Sequence, residues 1–212
     1  MSAASSIDTP FEVERIREDF PILSRTMRGK PLVFLDTAAS AQKPRVVLDA
    51  ITDLYSNHNA NIHRGHYELS ETTTRLHEQA REKVQALLHA SESREIVFTR
   101  NATEAINLVA QSYARHQLGA GDEILITCME HHANIVPWLQ LAEATGIELR
   151  YLGIDDDGHL DLSDLDQVLD GARLVSLTAM SNVLGTIPPV RQVADAAHEA
   201  GALVMVDAAQ YV

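Results

Sequence analysis

Five short apolar runs constrain the fold of this chain more than any other feature. Each run is rich in β-branched residues and continuous in its apolar character, which is typical of strands buried on both faces. The runs are EIVFT (95–99), EILIT (123–127), IELRYL (147–152), RLVSLTAM (173–180) and ALVMVD (202–207). Strands of this kind need helices above and below them.

Helical periodicity alternates with these runs. Apolar residues recur three and four positions apart around 44–57, 70–90, 103–117, 133–145 and 189–200. The segment 162–169 predicts a further short helix, capped near Ser163. The alternation predicts an α/β fold, a mostly parallel sheet covered by helices on both faces with right-handed crossovers. We expect a helical arm over residues 1–30 and one large domain over residues 31–212.

The charge balance and the cysteine count exclude several classes of function. The 212 residues carry 17 basic and 30 acidic side chains, so the net charge of −13 repels nucleic-acid backbones and anionic membrane surfaces. The first 20 residues lack the order of a secretion signal, and no run approaches the roughly 20 apolar residues that span a bilayer. We expect a cytoplasmic protein without nucleic-acid or membrane partners. Cys128 is the only cysteine, which excludes an internal disulfide and a cysteine metal cage.

Glycine fingerprints for nucleotides are missing from the predicted strand-to-helix junctions. The sequence contains neither GxxxxGK[ST] nor GxGxxG. Gly119 and Gly121 form a GxG, but they precede a strand instead of following one. Dinucleotide binding is therefore not expected.

The residues that follow each strand are the candidates for a ligand site, since parallel sheets bind ligands beyond the carboxyl ends of their strands. After the run at 95–99, Thr103 and Glu104 open a helix. The free amides and dipole of such a helix attract a phosphate group. A simple threonine cap is the alternative interpretation.

The strand at 123–127 is followed by a cluster of polar side chains. They are Glu130, His131, His132 and Asn134. Metal ligation, buried or surface histidines, and contact with an organic cofactor or substrate are the three interpretations, and we favour the last. Adjacent histidines diverge on a regular element, and the HxxH at 63–66 would need ligands from far along the chain. No metal site is predicted.

Two further junctions carry polar side chains. Asn182 follows the strand at 173–180 and is either a hydrogen-bond donor to a ligand or a turn residue. Asp207 ends the strand at 202–207, and Gln210 lies three residues on. A carboxylate after so apolar a strand is costly unless a cationic group, such as a cofactor ring nitrogen, a metal or an arginine, meets it.

Taken in order, these junctions resemble fold-type-I pyridoxal-phosphate enzymes of the aminotransferase class V superfamily, in particular the SufS/CsdA branch of cysteine desulfurases. The resemblance runs almost the full length of the chain. Its segments are FLDTAASAQKP (34–44), HRGHYELSE (63–71), RNATEAINLV (100–109), EHHANIVPW (130–138), SNVLGT (181–186) and VDAAQ (206–210).

The resemblance implies a role for each matching residue. Thr103 and neighbouring amides would hold the phosphate of pyridoxal 5'-phosphate, and His131 would stack on its ring and act catalytically by moving protons. Asp207 would pair with the ring nitrogen, since a cationic pyridinium is the electron sink of this cofactor. Asn182 and Gln210 would lie near the ring hydroxyl or the substrate. The residues implied on the substrate side are Ala39, His63, Arg64 and Asn182.

The sequence departs from the family pattern in two respects. Ala102 stands where the family often has a threonine, which removes one contact at the helix start. The Schiff-base lysine, the nucleophilic cysteine and the C-terminal small domain of the family have no counterpart before Val212. Lys30, Lys43 and Lys83 are poor substitutes, and Cys128 is expected to be a small buried hydrophobe. We therefore expect residues 31–212 to be the N-terminal part of the large domain and the chain alone to be inactive.

The implied activity belongs to the parent enzyme. It would take sulfur from L-cysteine, release L-alanine and leave an enzyme persulfide for an acceptor protein of iron–sulfur cluster assembly, acting as a homodimer. The alternatives are a selenocysteine lyase, a cysteine sulfinate desulfinase or an epimerase of the same superfamily. A non-catalytic dimerising fragment is the alternative from a different class.

Overall fold

The chain divides into two units, Met1–Val97 and Phe98–Val212. A computed structural model describes residues 11–212, so the first ten residues of the predicted arm lie outside the described part. The predicted domain boundary at residue 30 stays a prediction. No helix in residues 11–212 combines the length and the apolar content needed to cross a membrane.

The first unit is mainly helical. Its elements are α1 (Val13–Glu18), a 3-10 turn (Pro21–Ser24), the antiparallel strands β1 (Thr26–Met27) and β2 (Lys30–Pro31), α2 (Arg45–Asn57), α3 (Glu68–Leu88) and a second 3-10 turn (Ser93–Glu95). The predicted helices at 44–57 and 70–90 are thereby confirmed within two residues.

The predicted strand at 95–99 is wrong for the described part of the chain. Residue 95 ends a 3-10 turn, and residues 96–99 have no regular structure. Ile96 has extended backbone angles, and its carbonyl accepts a hydrogen bond from the Arg81 guanidinium. An apolar run becomes a strand only when a neighbouring strand satisfies its backbone groups, and residues 11–212 supply no such neighbour here.

The second unit alternates helices and strands. Its elements are α4 (Ala102–Val109), a π-helical turn (Ala110–Ala114), α5 (Arg115–Gln117), β3 (Glu123–Thr127), a 3-10 turn (His132–Asn134), α6 (Val136–Thr145), β4 (Glu148–Leu152), α7 (Leu165–Leu169), β5 (Ala172–Thr178), α8 (Val190–Glu199) and β6 (Leu203–Asp207). The other four predicted strands are confirmed. Ser163 does not cap α7, because its hydroxyl donates to Asp161 and Asp164 occupies the cap position.

The strands form one parallel sheet in the order β4-β3-β5-β6. The register between β3 and β5 shifts once, where Glu123 faces Ala172 and Ile124 faces Leu174. Because the strands are parallel, all four carboxyl ends meet at one edge of the sheet. This edge positions the residues that follow β3, β5 and β6.

Both faces of the sheet are covered, as predicted. Leu125 of β3 packs in a cluster with residues of α7 and α8, while its neighbours Ile124 and Ile126 pack in a second cluster with α4 and α6. The same alternation separates Val175 and Leu177 of β5 from Leu174. Successive side chains of a strand point to opposite faces, so each central strand is mostly apolar because both of its faces are interior.

Truncation of Leu141 tests the second cluster. Leu141 is 1% exposed, whereas Leu139 of the same helix is 47% exposed. We expect Leu141→Ala to lower the free energy of unfolding by about 2–5 kcal/mol, since it removes buried methyl groups and leaves a cavity. Leu139→Ala should cost less than about 1 kcal/mol. Urea unfolding followed by circular dichroism measures both, and equal losses would contradict this assignment of the core.

Candidate active site

A buried carboxylate organises the segment that follows β3. Glu130 is 8% exposed. Its Oε1 accepts hydrogen bonds from Thr127 Oγ1 at 2.6 Å and from the Thr178 backbone N–H at 2.8 Å. Its Oε2 accepts from Asn134 Nδ2 at 2.6 Å. One side chain therefore ties the end of β3 to the end of β5 and to the 3-10 turn.

Asn134 extends this network into the core. Its Oδ1 accepts from Trp138 Nε1 at 3.0 Å and from Ser176 Oγ at 2.7 Å. Asn134, Trp138 and Ser176 are all completely buried. The NH2 group of Asn134 thus faces an acceptor and its oxygen faces two donors, so the amide has only one favourable orientation. The 132–134 turn is held rigidly against the sheet.

Burial raises the pKa of the Glu130 carboxyl above its usual range. The hydrogen bonds from Thr127, Asn134 and Thr178 lower this pKa, but they do not offset the loss of hydration, and the negative charge of Asp207 raises it further. The influence of Asp207 follows from the sheet, because Thr178 and Asp207 are paired residues of β5 and β6.

His131 lies at the start of the 3-10 turn and is half-buried. Its Nδ1 accepts a hydrogen bond from the Ala133 backbone N–H at 3.1 Å, so a neutral ring carries its proton on Nε2. The His131 and His132 ring centroids are 3.9 Å apart, with 38° between the ring planes. The expected divergence of adjacent histidines does not hold, because they lie in a turn and not in a regular element.

Asp207 lies at the carboxyl end of β6 and is half-buried. Its Oδ1 accepts from the Ala209 backbone N–H at 3.0 Å, and its carbonyl accepts from Ala179 N–H at 2.8 Å. Its carboxylate takes part in none of the ion pairs that the described residues form. Within residues 11–212, therefore, the Asp207 carboxylate has no ion-pair partner and lies next to the Glu130 network.

The helix that contains Thr103 begins one residue earlier than predicted. Asn101 is the cap of α4, and its side-chain oxygen accepts from the Glu104 N–H at 2.9 Å. Thr103 is an exposed residue of the first turn, so the threonine cap is wrong. The Glu104 carboxylate accepts from the Arg100 backbone N–H and guanidinium, and the Arg100 side chain lowers the pKa of Glu104. Helix α4 packs against the 132–134 turn.

Asn182 and Gln210 lie in turns beyond β5 and β6. Asn182 is exposed in a turn that Ser181 stabilises, since the Ser181 hydroxyl accepts from the N–H groups of Val183 and Leu184 at 3.3 and 3.1 Å. Gln210 is half-buried in the turn after Asp207. The turn interpretation of Asn182 is confirmed, and contact with a ligand stays a prediction.

Three of the four residues predicted for the substrate side, Ala39, His63 and Arg64, belong to the first unit. Ala39 is exposed in a turn, and Arg64 is exposed in the loop before α3. His63 has a left-handed backbone with φ of 63°, and its Nε2 lies 3.3 Å from Glu78 Oε1. A hydrogen bond from His77 chiefly lowers the pKa of Glu78, with smaller contributions from Arg81 and His63.

Cys128 is exposed, which corrects the expectation that it is buried. Strand β3 ends at Thr127, and Cys128 begins a turn in which Met129 is the buried residue. The three lysines all lie in the first unit, where Lys43 Nζ donates to the Ala41 carbonyl at 2.6 Å.

Sequence reasoning missed the hydroxyls that support the site. Thr127, Ser176 and Thr178 are buried polar residues inside apolar strands. Each stands near the carboxyl end of its run, in EILIT and LVSLT, and this position is the signal that could have identified them. Their partners lie up to 48 residues away, which the local pattern does not reveal.

Comparison with known proteins assigns the family. The aminotransferase class-V family model matches residues 33–212. A cysteine desulfurase of Dickeya dadantii is 50% identical over 203 residues, covering 95% of this chain and 49% of the relative.

Two solved structures are also similar to this chain. A cysteine desulfurase from Thermococcus onnurineus superimposes with a TM-score of 0.87 at 37% identity, over 93% of this chain and 48% of the other. The cysteine desulfurase CsdA from Escherichia coli superimposes with a TM-score of 0.82 at 40% identity, over 95% and 50% of the two chains. The chain belongs to the aminotransferase class-V family and spans about half the length of the relatives it matches. The resemblance inferred from the sequence is confirmed.

Replacing Glu130 tests the network. Three donors converge on this carboxylate, and the NH2 group of a glutamine would face one of them. We expect Glu130→Gln to lower the free energy of unfolding by about 1–3 kcal/mol.

The effect should depend on pH. Burial raises the folded-state pKa of Glu130, so binding of a proton to this carboxylate stabilises the folded state. This contribution to the free energy of unfolding is complete below the unfolded-state pKa and is lost as pH rises through the folded-state pKa. The stability difference between the wild type and Glu130→Gln should therefore be larger in acid and narrow as pH rises. Urea unfolding at pH values from about 4 to 8 measures this. Glu143→Gln, an exposed change on α6, is the control, and a difference independent of pH would refute the assignment.

Proposed function

We propose that this chain is the cofactor-facing part of a pyridoxal-phosphate-dependent cysteine desulfurase. The observation that carries the proposal is the Asp207 carboxylate at the sheet edge, which lacks an ion-pair partner among the described residues and neighbours the segment with His131. The similarity to cysteine desulfurases over most of the chain supports it. The activity concerns the whole enzyme.

The donor set of the sheet edge fits the cofactor. A half-buried carboxylate is stabilised by a cationic partner, and a protonated pyridine nitrogen supplies one. One Asp207 oxygen already accepts from Ala209 N–H, which orients the carboxylate. When bound, pyridoxal phosphate supplies an electron sink for bonds broken at the substrate α-carbon. Asp207 would keep that sink in its protonated form.

The first turn of α4 fits a phosphate group. The backbone amides of a helix N-terminus and the hydroxyl of Thr103 are anion ligands. The side chain of the cap residue Asn101 accepts the hydrogen bond of the Glu104 N–H. The N–H groups of Ala102 and Thr103, which precede Glu104, are therefore the ones available to a phosphate in this turn. Ala102 supplies no hydroxyl, so we assign the side-chain contact to Thr103 alone.

The His131 imidazole would stack on the face of the cofactor ring and hold a proton at Nε2. Its Nδ1 is engaged by Ala133 N–H, which fixes the ring orientation and leaves Nε2 as the end that exchanges protons. Asn182 and Gln210, in the turns beyond β5 and β6, would contact the ring hydroxyl or the substrate. Ala39, His63 and Arg64 would line the substrate side.

The substrate assignment rests on similarity to relatives. The parent enzyme would convert L-cysteine to L-alanine and pass sulfur, held as an enzyme persulfide, to an acceptor protein of iron–sulfur cluster assembly. We also propose that the enzyme is a cytoplasmic homodimer. The Schiff-base lysine and the nucleophilic cysteine would come from sequence outside these 212 residues, so the chain alone would be inactive.

Substitution of Asp207 in the longest natural enzyme that contains this sequence tests the function. We expect the wild type to form alanine from L-cysteine and Asp207→Asn to lose about 10²–10³-fold in kcat, the range for losing one preorganised electrostatic partner. Asp170→Asn, an exposed change beside α7, is the control. If the wild type formed no alanine from L-cysteine but acted on selenocysteine, acted on cysteine sulfinate or racemised an amino acid, the corresponding alternative would replace the desulfurase assignment.

The isolated 212-residue chain provides a second test. Incubation with pyridoxal phosphate followed by borohydride reduction should label Lys30, Lys43 and Lys83 at well below one cofactor per chain. Mass spectrometry of tryptic peptides measures this. Stoichiometric labelling of any one of these lysines would contradict the proposed external anchor.

A further inference from the structure

Three potential metal ligands converge at the middle of α3 in the first unit. Glu78 Oε1 lies 3.3 Å from His63 Nε2 and 3.1 Å from His77 Nδ1. The three ligand atoms all lie within 4.8 Å of one another. The two imidazole rings are perpendicular, at 89°, with centroids 5.7 Å apart. Two nitrogens and one oxygen thus lie close enough together to bind one ion.

The spacing matches the geometry of a zinc site. Zinc bonds to histidine nitrogen and carboxylate oxygen are about 2.0–2.2 Å long, so neighbouring ligands of a tetrahedral ion are about 3.3 Å apart. The two separations that involve Glu78 are already near this value. Two histidines and one glutamate form a known zinc ligand set that leaves a position open for water or another ligand.

The loop that carries His63 is fixed to α3 by hydroxyl groups. Ser70 Oγ donates to the Asn61 carbonyl at 2.6 Å, and the Thr73 hydroxyl donates to the His58 carbonyl. Thr74 Oγ1 accepts from the His63 backbone N–H at 3.0 Å. These bonds hold His63 in its left-handed conformation, which is strained for a residue with a side chain. The imidazole is therefore positioned before any ion binds.

Gly65 permits this close approach of the loop. A Cβ atom at residue 65 would lie 2.5 Å from Ser70 Oγ and 2.6 Å from a ring carbon of Tyr67. Any larger residue would displace the loop from α3. The HRGH segment thus brings its first histidine to ligands 14 and 15 residues away along the chain, whereas the HxxH spacing itself is not used.

Arg81 supports the carboxylate from the outer side. Its Nε lies 3.5 Å from Glu78 Oε2, the oxygen that does not face the two imidazoles. Ligating carboxylates in metal sites commonly have such an outer partner, and here Arg81 forms an ion pair with the carboxylate. The side chains of His63, His77 and Glu78 are 51%, 28% and 39% exposed, so an ion can reach them from solvent.

We propose that His63, His77 and Glu78 bind a divalent transition-metal ion of the zinc class. Imidazole nitrogen with one carboxylate oxygen suits Zn²⁺, Co²⁺, Ni²⁺ and Cu²⁺ and disfavours Mg²⁺ and Ca²⁺, which prefer oxygen ligands. The proposed function places His63 on the substrate side, but zinc binding by the chain requires neither pyridoxal phosphate nor turnover, so the two proposals can fail independently.

Titration of the 212-residue chain with ZnCl2 in a calorimeter tests the site. We expect one ion per chain, and Co²⁺ should give the intense visible absorption of tetrahedral coordination. Loss of an outer-shell partner costs about 10–100-fold in affinity, so loss of a ligand in His77→Gln or Glu78→Gln should cost at least about 100-fold. Circular dichroism checks that each variant keeps its fold.

Two further histidine variants separate this site from other zinc-binding histidines. His198→Gln changes an exposed histidine of α8 and should bind zinc as the wild type does. His132→Gln tests the adjacent histidine pair of the second unit and should also bind normally. Unchanged zinc affinity in both folded variants, His77→Gln and Glu78→Gln, or loss of binding only in His132→Gln, would overturn the proposal.

Discussion

The buried Glu130 carboxylate is the interaction on which the sheet edge depends. It accepts hydrogen bonds from the end of β3, from the backbone of β5 and from the 132–134 turn. These elements come from separate parts of the sequence, and each would otherwise leave a donor buried without a partner. A buried polar network of this kind is stabilising only when every member is satisfied. Because these hydrogen bonds are all formed, the His131 backbone is held in one position.

The network also sets the electrostatics of the edge. The negative charge of Asp207 acts on Glu130 across one pair of strands, since the Thr178 N–H donates to the Glu130 carboxylate and Thr178 is paired with Asp207. Burial and the like charge of Asp207 both disfavour the ionised form of Glu130. A positive group at Asp207 would relieve this repulsion. This is the physical basis of our proposal that the cationic ring of pyridoxal phosphate binds at the end of β6.

Most of the fold of the second unit could be predicted from local pattern. Strands β3 to β6 followed from predominantly apolar runs, because burial of a strand favours apolar side chains at most of its positions. The run at 95–99 has the same composition but forms no strand, since strand formation also requires a neighbour that accepts its hydrogen bonds. Similarly, the exposure of Cys128 depends on where β3 ends, and the cap at Asn101 depends on where α4 begins. Both positions are set by tertiary packing.

The sequence by itself determined the order of the elements, the parallel sheet and the family, because apolar periodicity and short motifs are local and survive without coordinates. It also predicted His131, in the segment after β3, and Asp207, the last residue of β6, as site residues. Only the tertiary structure decided which polar groups meet. The partnership of Glu130 with Thr178 and that of His63 with Glu78 join residues 48 and 15 positions apart. Such contacts arise when the chain folds back on itself, and the physical reason is that buried polar groups must find their partners wherever packing brings them.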